Sequence, residues 1–159
     1  MQPRRAEETD MSQTPTTEAE NSSYSVTREF DAPVEAVWAA WTEPAAFAQV
    51  FNAVPESVVL DVRPGGEYRA DIKTPTGEVH SISGGYVEVV EHRRLVETMG
   101  AAPGAGLEPQ SMTFEFADLG DGRTRLTVHQ VCDSPKTAKI SRQGTEYLLE
   151  SCATYLAGA

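Results

Sequence analysis

The strongest constraint in this sequence is the stretch from Ser57 to Val131, where short β-rich runs alternate with turn-forming residues. The runs are SVVLDV, EYRADIK, EVHSISGGYVEVV, RLVETM, SMTFEFA and RTRLTVHQV. Valine, isoleucine, threonine and aromatic residues recur in them, as in half-buried strands. Between them stand Pro64-Gly65-Gly66, Thr74-Pro75-Thr76-Gly77, Glu91-His92-Arg93 and Leu119-Gly120-Asp121-Gly122, each a credible hairpin connection. That predicts about six strands, close neighbours in sequence, and hence an antiparallel meander. The connection GAAPGAGLEPQ is longer and looser and is expected to be a mobile loop.

Glycine-bearing segments of this kind either cradle a phosphate or reverse the chain. A phosphate loop needs a strand before it and a helix after it, and usually a Lys-Ser/Thr pair. Pro64-Gly65-Gly66 is followed by the strand-like EYRADIK and carries no such pair. Proline presets the first central position of a turn, and glycine accepts the positive φ of the second. The segment reads as a corner.

The flanks have different periods. Tyr24, Val26 and Phe30 alternate with Ser25, Thr27 and Glu29, predicting a strand. Arg28 interrupts its apolar face, which points to a sheet edge or a special neighbour. Val34, Val37, Trp38 and Trp41 then form one helical stripe, with Pro33 suited to the first helical position and Glu35 to the first turn. Thr42 is expected to cap a second short helix that carries Phe47, Val50 and Phe51. After Cys132, Ser134-Pro135 opens a long C-terminal helix with the approximate stripe Tyr147, Leu148, Ser151, Cys152 and Tyr155. Gly144 lies mid-run, where a kink or a break into two helices is an option. Residues 1–23 contain almost nothing to bury and are expected to form a disordered tail before one domain over residues 24–159.

Charge and cysteine content narrow the function. Acidic side chains number 24 against 13 basic ones, a net charge of −11, which argues against nucleic acid and anionic membranes as partners. No apolar run approaches the ~20 residues of a membrane span. Cys132 and Cys152 lack close metal spacing and read as reduced thiols in a cytoplasmic protein.

Four words of the sequence, TREFDAPVEAVWAAWTEP, DVRPGGEY, GGYVEVVEHRRLVET and GDGRTRLTVHQ, together resemble the activator of Hsp90 ATPase homologue family. That family lies in the START-like, Bet v 1-like (SRPBCC) superfamily, and the resemblance runs from Ser25 to about Leu156. It implies an α+β helix-grip fold: a curved antiparallel sheet wrapped around a long C-terminal helix, with an apolar cavity between them. Relatives in the superfamily bind lipids, sterols or polyketides, a few catalyse cyclisation or hydrolysis, and the family's name comes from a co-chaperone role. Two positions depart from the family's habit. FAQVFNA stands where a tryptophan pair is frequent, and Gly144-Thr145 where Gly-Trp is frequent, so the pocket's shape and ligand are not carried over.

A ligand pocket of this kind is mostly apolar, with a few polar groups that fix orientation. Candidate lining residues are Phe47, Phe51, Tyr68, Tyr86 and Met112 with Phe114, and on the last helix Tyr147, Leu148, Ser151, Cys152 and Tyr155. Phe116 is read mainly as packing. His80 is the polar candidate set among the ligand-binding residues, and His129, Arg69 and Glu97 stand beside it. A bulge at Gly84-Gly85 would re-aim the Tyr86 hydroxyl. Glu97 and His129 form a conceivable acid–base pair. No G-x-S-x-G elbow or H-E-x-x-H spacing is present, so no catalytic residue, metal or cofactor is assigned. The leading reading is a cytoplasmic binder of a small hydrophobic molecule. The alternatives are a polyketide cyclase or aromatase and a co-chaperone-like interaction module, with a homodimer left open through an edge strand.

Overall fold

The computed structural model describes residues 22–99, 110–132 and 134–158. The expected tail, apart from Ser22 and Ser23, and the loop expected over residues 100–110, apart from Gln110, lie outside them. Strand β1 (Ser23–Phe30) begins the fold, with Tyr24 and Phe30 buried and Ser25, Thr27 and Glu29 outward. Helix α1 (Val34–Thr42) follows and buries Val34, Val37, Trp38 and Trp41 on one stripe. Pro33 sits one residue outside the helix in an extended conformation, and its carbonyl accepts from the Ala36 and Val37 amides at 3.0 and 3.2 Å.

Thr42 does not cap the second helix. It ends α1, and its hydroxyl donates to the Trp38 carbonyl at 2.9 Å. Helix α2 (Pro44–Phe51) opens on Pro44, so the extended residue before it is Glu43. A residue ahead of proline is pushed out of the helical region, which fixes the boundary there. Asn52 closes α2 in the left-handed conformation.

The remaining strands are β2 (Val59–Leu60), β3 (Glu67–Lys73), β4 (Val79–Val90), β5 (Arg94–Met99), β6 (Gln110–Gly120) and β7 (Arg123–Val131). Of SVVLDV only Val59 and Leu60 form a strand, preceded by a 3₁₀ turn at Pro55–Ser57. The seven strands form one antiparallel sheet in the order β1-β7-β6-β5-β4-β3-β2. The two short helices therefore carry the chain from one edge of the sheet to the other, and the meander returns until β7 lies beside β1. At the Pro64 corner, Gly65 has φ +85° and the Gly66 amide donates to the Arg63 carbonyl at 2.8 Å, as a type II turn requires.

One face of the sheet is covered by α1, α2 and the long helix α3 (Pro135–Gly158). The inward side chains follow the strand alternation: Thr124, Leu126, Val128 and Gln130 on β7, and Met112, Phe114 and Phe116 on β6, are all buried. Arg28 lies on an edge strand and its guanidinium donates to Glu150 of α3 at 3.2 Å. Helix α3 is continuous for 24 residues through Gly144, with Ser134 accepting from the Thr137 amide at its start. Its phase differs from the expected stripe. The buried residues are Ala138, Thr145, Leu149 and Cys152, whereas Tyr147 is 58% exposed. Docking across the sheet decides this: the Tyr24 hydroxyl bonds both Gln130 and Thr145, pinning the polar Thr145 inward.

Candidate functional site

The apolar faces of sheet and helices do not close completely on one another. Where β3 to β6 curve away from α3, an inner chamber with about 40 Å³ of free space remains. Its floor is formed by Tyr68, Ile82, Glu97, Met99, Met112 and Phe114 from the strands. Trp41 from α1, Phe47 and Phe51 from α2, and Thr145 and Leu148 from α3 close it. The aromatic wall is ordered. Phe47 and Phe51, one helical turn apart, stack at 3.9 Å, and Trp41 meets Phe51 edge-on at 6.1 Å.

A larger outer chamber of about 330 Å³ adjoins it, sharing Phe51, Ile82, Met99, Met112, Thr145 and Leu148. Ile72, Gln130, Ser141 and Gly144 complete its border. That volume lies at the small end of ordinary ligand pockets, about 300–1,000 Å³. Gly144, where an added β-carbon would meet nothing within 4 Å, and the short Thr145 form this part of the border.

Glu97 is the unusual member of the lining. It sits on β5 in register with Tyr86 of β4 and Met112 of β6, and is only 8% exposed. Its carboxyl makes no hydrogen bond or ion pair among the described residues, a costly condition for a buried polar group. Burial pushes its pKa from the ordinary value near 4.5 up to about 8, so near neutrality the group is held mainly as the uncharged acid. Burial also raises the Tyr68 and Tyr86 hydroxyls, and the nearby Glu97 charge raises them further. The Tyr68 hydroxyl donates to the Thr98 carbonyl at 3.0 Å. Gly84 permits that contact: a β-carbon there would lie 1.8 Å from the Thr98 oxygen and 2.7 Å from the Tyr68 hydroxyl.

Of the sequence-derived candidates, Phe47, Phe51, Tyr68, Met112, Phe114 and Leu148 meet at the inner chamber. Tyr86 and Cys152 are buried in the surrounding core without lining either chamber. Burial raises the Cys152 thiol to about 12, which leaves it a neutral packing group. Tyr147, Ser151 and Tyr155 instead border a more polar open groove of about 490 Å³ with Gln49, Glu150 and Thr154 on another side of α3. Ser151 there donates to the Val50 carbonyl at 2.7 Å, which ties α3 to α2.

The histidines do not reach the cavity. His80 is exposed near the β3–β4 turn beside Glu78 at 3.4 Å, and His129 lies on the outer face of β7, bonded to Ser25 at 2.9 Å. A Glu97–His129 pair is therefore ruled out by the sheet between them, and Arg69 also faces outward, near Asp71. The bulge falls between Tyr86 and Glu88 rather than at Gly84-Gly85. The two glycines instead serve close approach, Gly84 to Thr98 and Tyr68.

The lining residues absent from the sequence-derived set are Trp41, Ile82, Met99 and Thr145. The first three carried a signal: Trp41 lies on the predicted helix stripe, and Ile82 and Met99 alternate in phase with Tyr86 and Glu97. Thr145, polar and next to a glycine, carried a signal only through the family resemblance, in which it stands at the frequent Gly-Trp position. No disulfide joins Cys132 and Cys152, and among the described residues no helix is long and apolar enough to cross a membrane.

Comparison with solved structures places this architecture among known ones. A protein of Nitrosomonas europaea superposes with a TM-score of 0.70 at 22% identity, over 87% of this chain and 96% of that one. One from Arthrobacter aurescens gives 0.72 at 22% identity, over 90% of each chain. A Plasmodium falciparum protein described as an Hsp90 activator gives 0.67 at 17% identity, over 85% of this chain and 96% of that one. At these identities the likeness establishes the helix-grip fold. No curated protein matches the chain. The sequence of residues 31–157, nearly all of the described domain, matches the family described as activator of Hsp90 ATPase homolog 1-like protein, and the chain belongs to that family.

Proposed function

We propose that this protein binds a small, largely apolar molecule in the cavity between the sheet and α3. The observation that carries this reading is the pairing of an open, ligand-sized apolar cleft with a small inner end whose buried carboxyl has no partner among the described residues. A side chain packed only for stability would be apolar or hydrogen-bonded there.

The test is a thermal-shift screen of purified protein against sterols, alkyl chains, polyketide-like aromatics and other apolar compounds. A ligand at about 100 times its dissociation constant adds roughly 2.7 kcal/mol, which moves the midpoint of a domain this size by several degrees. A selective shift is expected. A flat response from folded protein would sink the binding reading and favour contact with a chaperone, the role printed for the Plasmodium neighbour.

A cyclase-like enzyme is the second reading, and Glu97 is what favours it. Glu97 is an acid able to supply a proton inside the cavity, which His80 and His129 are not positioned to do. Chromatography of the best-binding aromatic after incubation tests it. An unchanged compound argues for binding alone.

A further inference from the structure

We propose that Glu97 is the polar anchor of this cavity. Its neutral carboxyl donates a hydrogen bond to a carbonyl oxygen of an uncharged ligand, whose apolar body fills the outer chamber. The inference rests on the binding reading above and adds the chemical class of the ligand. Among the described residues four side chains with a hydrogen-bond donor line the inner chamber: Trp41, Tyr68, Glu97 and Thr145. The Tyr68 proton is already given to the Thr98 carbonyl. The Tyr24 hydroxyl donates to Gln130, so the Thr145 hydroxyl, 2.6 Å away, gives its own proton to the Tyr24 oxygen. Among the described residues the Glu97 carboxyl and the Trp41 indole N–H are left as lining donors without an acceptor, so an acceptor atom is what the chamber lacks, and Glu97 is the one of the two whose donor is lost on ionisation.

Charge narrows the choice further. Among the described residues no Lys, Arg or His lines either chamber, so a fatty-acid carboxylate would meet Glu97 with no cation to balance it. The titratable groups facing Glu97 are Tyr68 from β3 and Tyr86 from β4, with Asp61 acting on Tyr86 from beyond. Met112 from β6, Trp41 from α1, Phe47 and Phe51 from α2, and Thr145 and Leu148 from α3 bring no charge. An ammonium ligand would have to ionise Glu97 and then sit in a pair without supporting hydrogen bonds. A ketone or ester oxygen needs only the proton already there, and the inner chamber has room for such a group but not for a whole ligand.

Four naphthalenes of one skeleton test this by isothermal titration calorimetry: the acetyl ketone, the ethyl hydrocarbon, the carboxylate and the aminomethyl cation. At about pH 7 the ketone is expected to bind about tenfold more tightly than the hydrocarbon, the scale of one hydrogen bond, and the carboxylate weakest of all. The ketone's advantage should fade at about pH 9, where Glu97 ionises. Glu97→Gln keeps an N–H donor and should hold the advantage at both pH values, whereas Glu97→Leu should bind ketone and hydrocarbon alike. Equal binding of ketone and hydrocarbon by the native protein would overturn the anchor and leave the binding reading standing. Tightest binding by the amine, with proton release, would also overturn it, making Glu97 a counter-ion. Failure of every probe to bind folded protein would remove both.

Discussion

Replacing Glu97 by glutamine should stabilise the ligand-free protein, and by an amount that depends on pH in a defined direction. The native carboxyl holds its proton up to about pH 8, whereas in the unfolded chain it ionises near 4.5. Its folded-state pKa is raised, so its favourable contribution is fully present below pH 4.5, declines as pH rises and is gone above about pH 8. The slope is roughly 1.4 kcal/mol per pH unit, which gives a loss of roughly 3 kcal/mol by pH 7 and about 5 over the whole window. Other carboxylates titrate in acid as well, so the informative quantity is the difference between native protein and Glu97→Gln. The amide is nearly isosteric and uncharged throughout. The two proteins should unfold at similar urea concentrations near pH 5. At pH 7 the variant should lead by roughly 1–3 M, given typical urea dependences of about 1–3 kcal/mol per molar. Urea titrations followed by circular dichroism between about pH 5 and pH 9 measure this directly. A difference that stays constant across the range would refute the reasoning. It would mean that Glu97 ionises as an exposed carboxyl does, in a cavity wet enough to solvate the charge.

Three further perturbations probe the frame around the cavity. Gly84→Ala should lower the melting temperature by several degrees, because the new methyl group would sit 1.8 Å from the Thr98 carbonyl. Gly85→Ala, whose nearest neighbour would be at 3.4 Å, should cost much less in the same thermal melt. Leu149→Ala removes a 1%-exposed side chain and should cost about 2–5 kcal/mol in chemical denaturation, whereas Tyr147→Ala should change stability by less than about 0.5 kcal/mol. The reverse order would refute the observed helix phase. Tyr24→Phe removes the hydroxyl shared by Gln130 and Thr145 and should cost roughly 1–3 kcal/mol in the same assay. Hydrogen exchange should also quicken in the N-terminal half of α3, where that contact ties the helix to the sheet.

The legibility of the sequence followed the range of the interactions involved. Turn chemistry and strand alternation are local, so the corner at Gly65 and the alternation that buries Tyr24 and Phe30 could be read from their immediate neighbours. The helical stripe of Val34, Val37, Trp38 and Trp41 was equally plain, because the large apolar side chains of that segment all fall on one face and the rest are Ala, Glu and Thr. Helix α3 has no such single face. Tyr147 and Leu148 invite one phase and Leu149 another, and Tyr24 and Gln130, more than a hundred and about fifteen residues away, select the second by holding Thr145. The same holds for the polar candidates. Sequence supplied Glu97 and the two histidines His80 and His129 on strands, but sheet register and the cover of three helices decided which of them faces inward. Only that enclosure turns Glu97 from an ordinary surface-type carboxyl into a buried acid, because desolvation depends on everything packed around a group and on nothing in its own sequence neighbourhood.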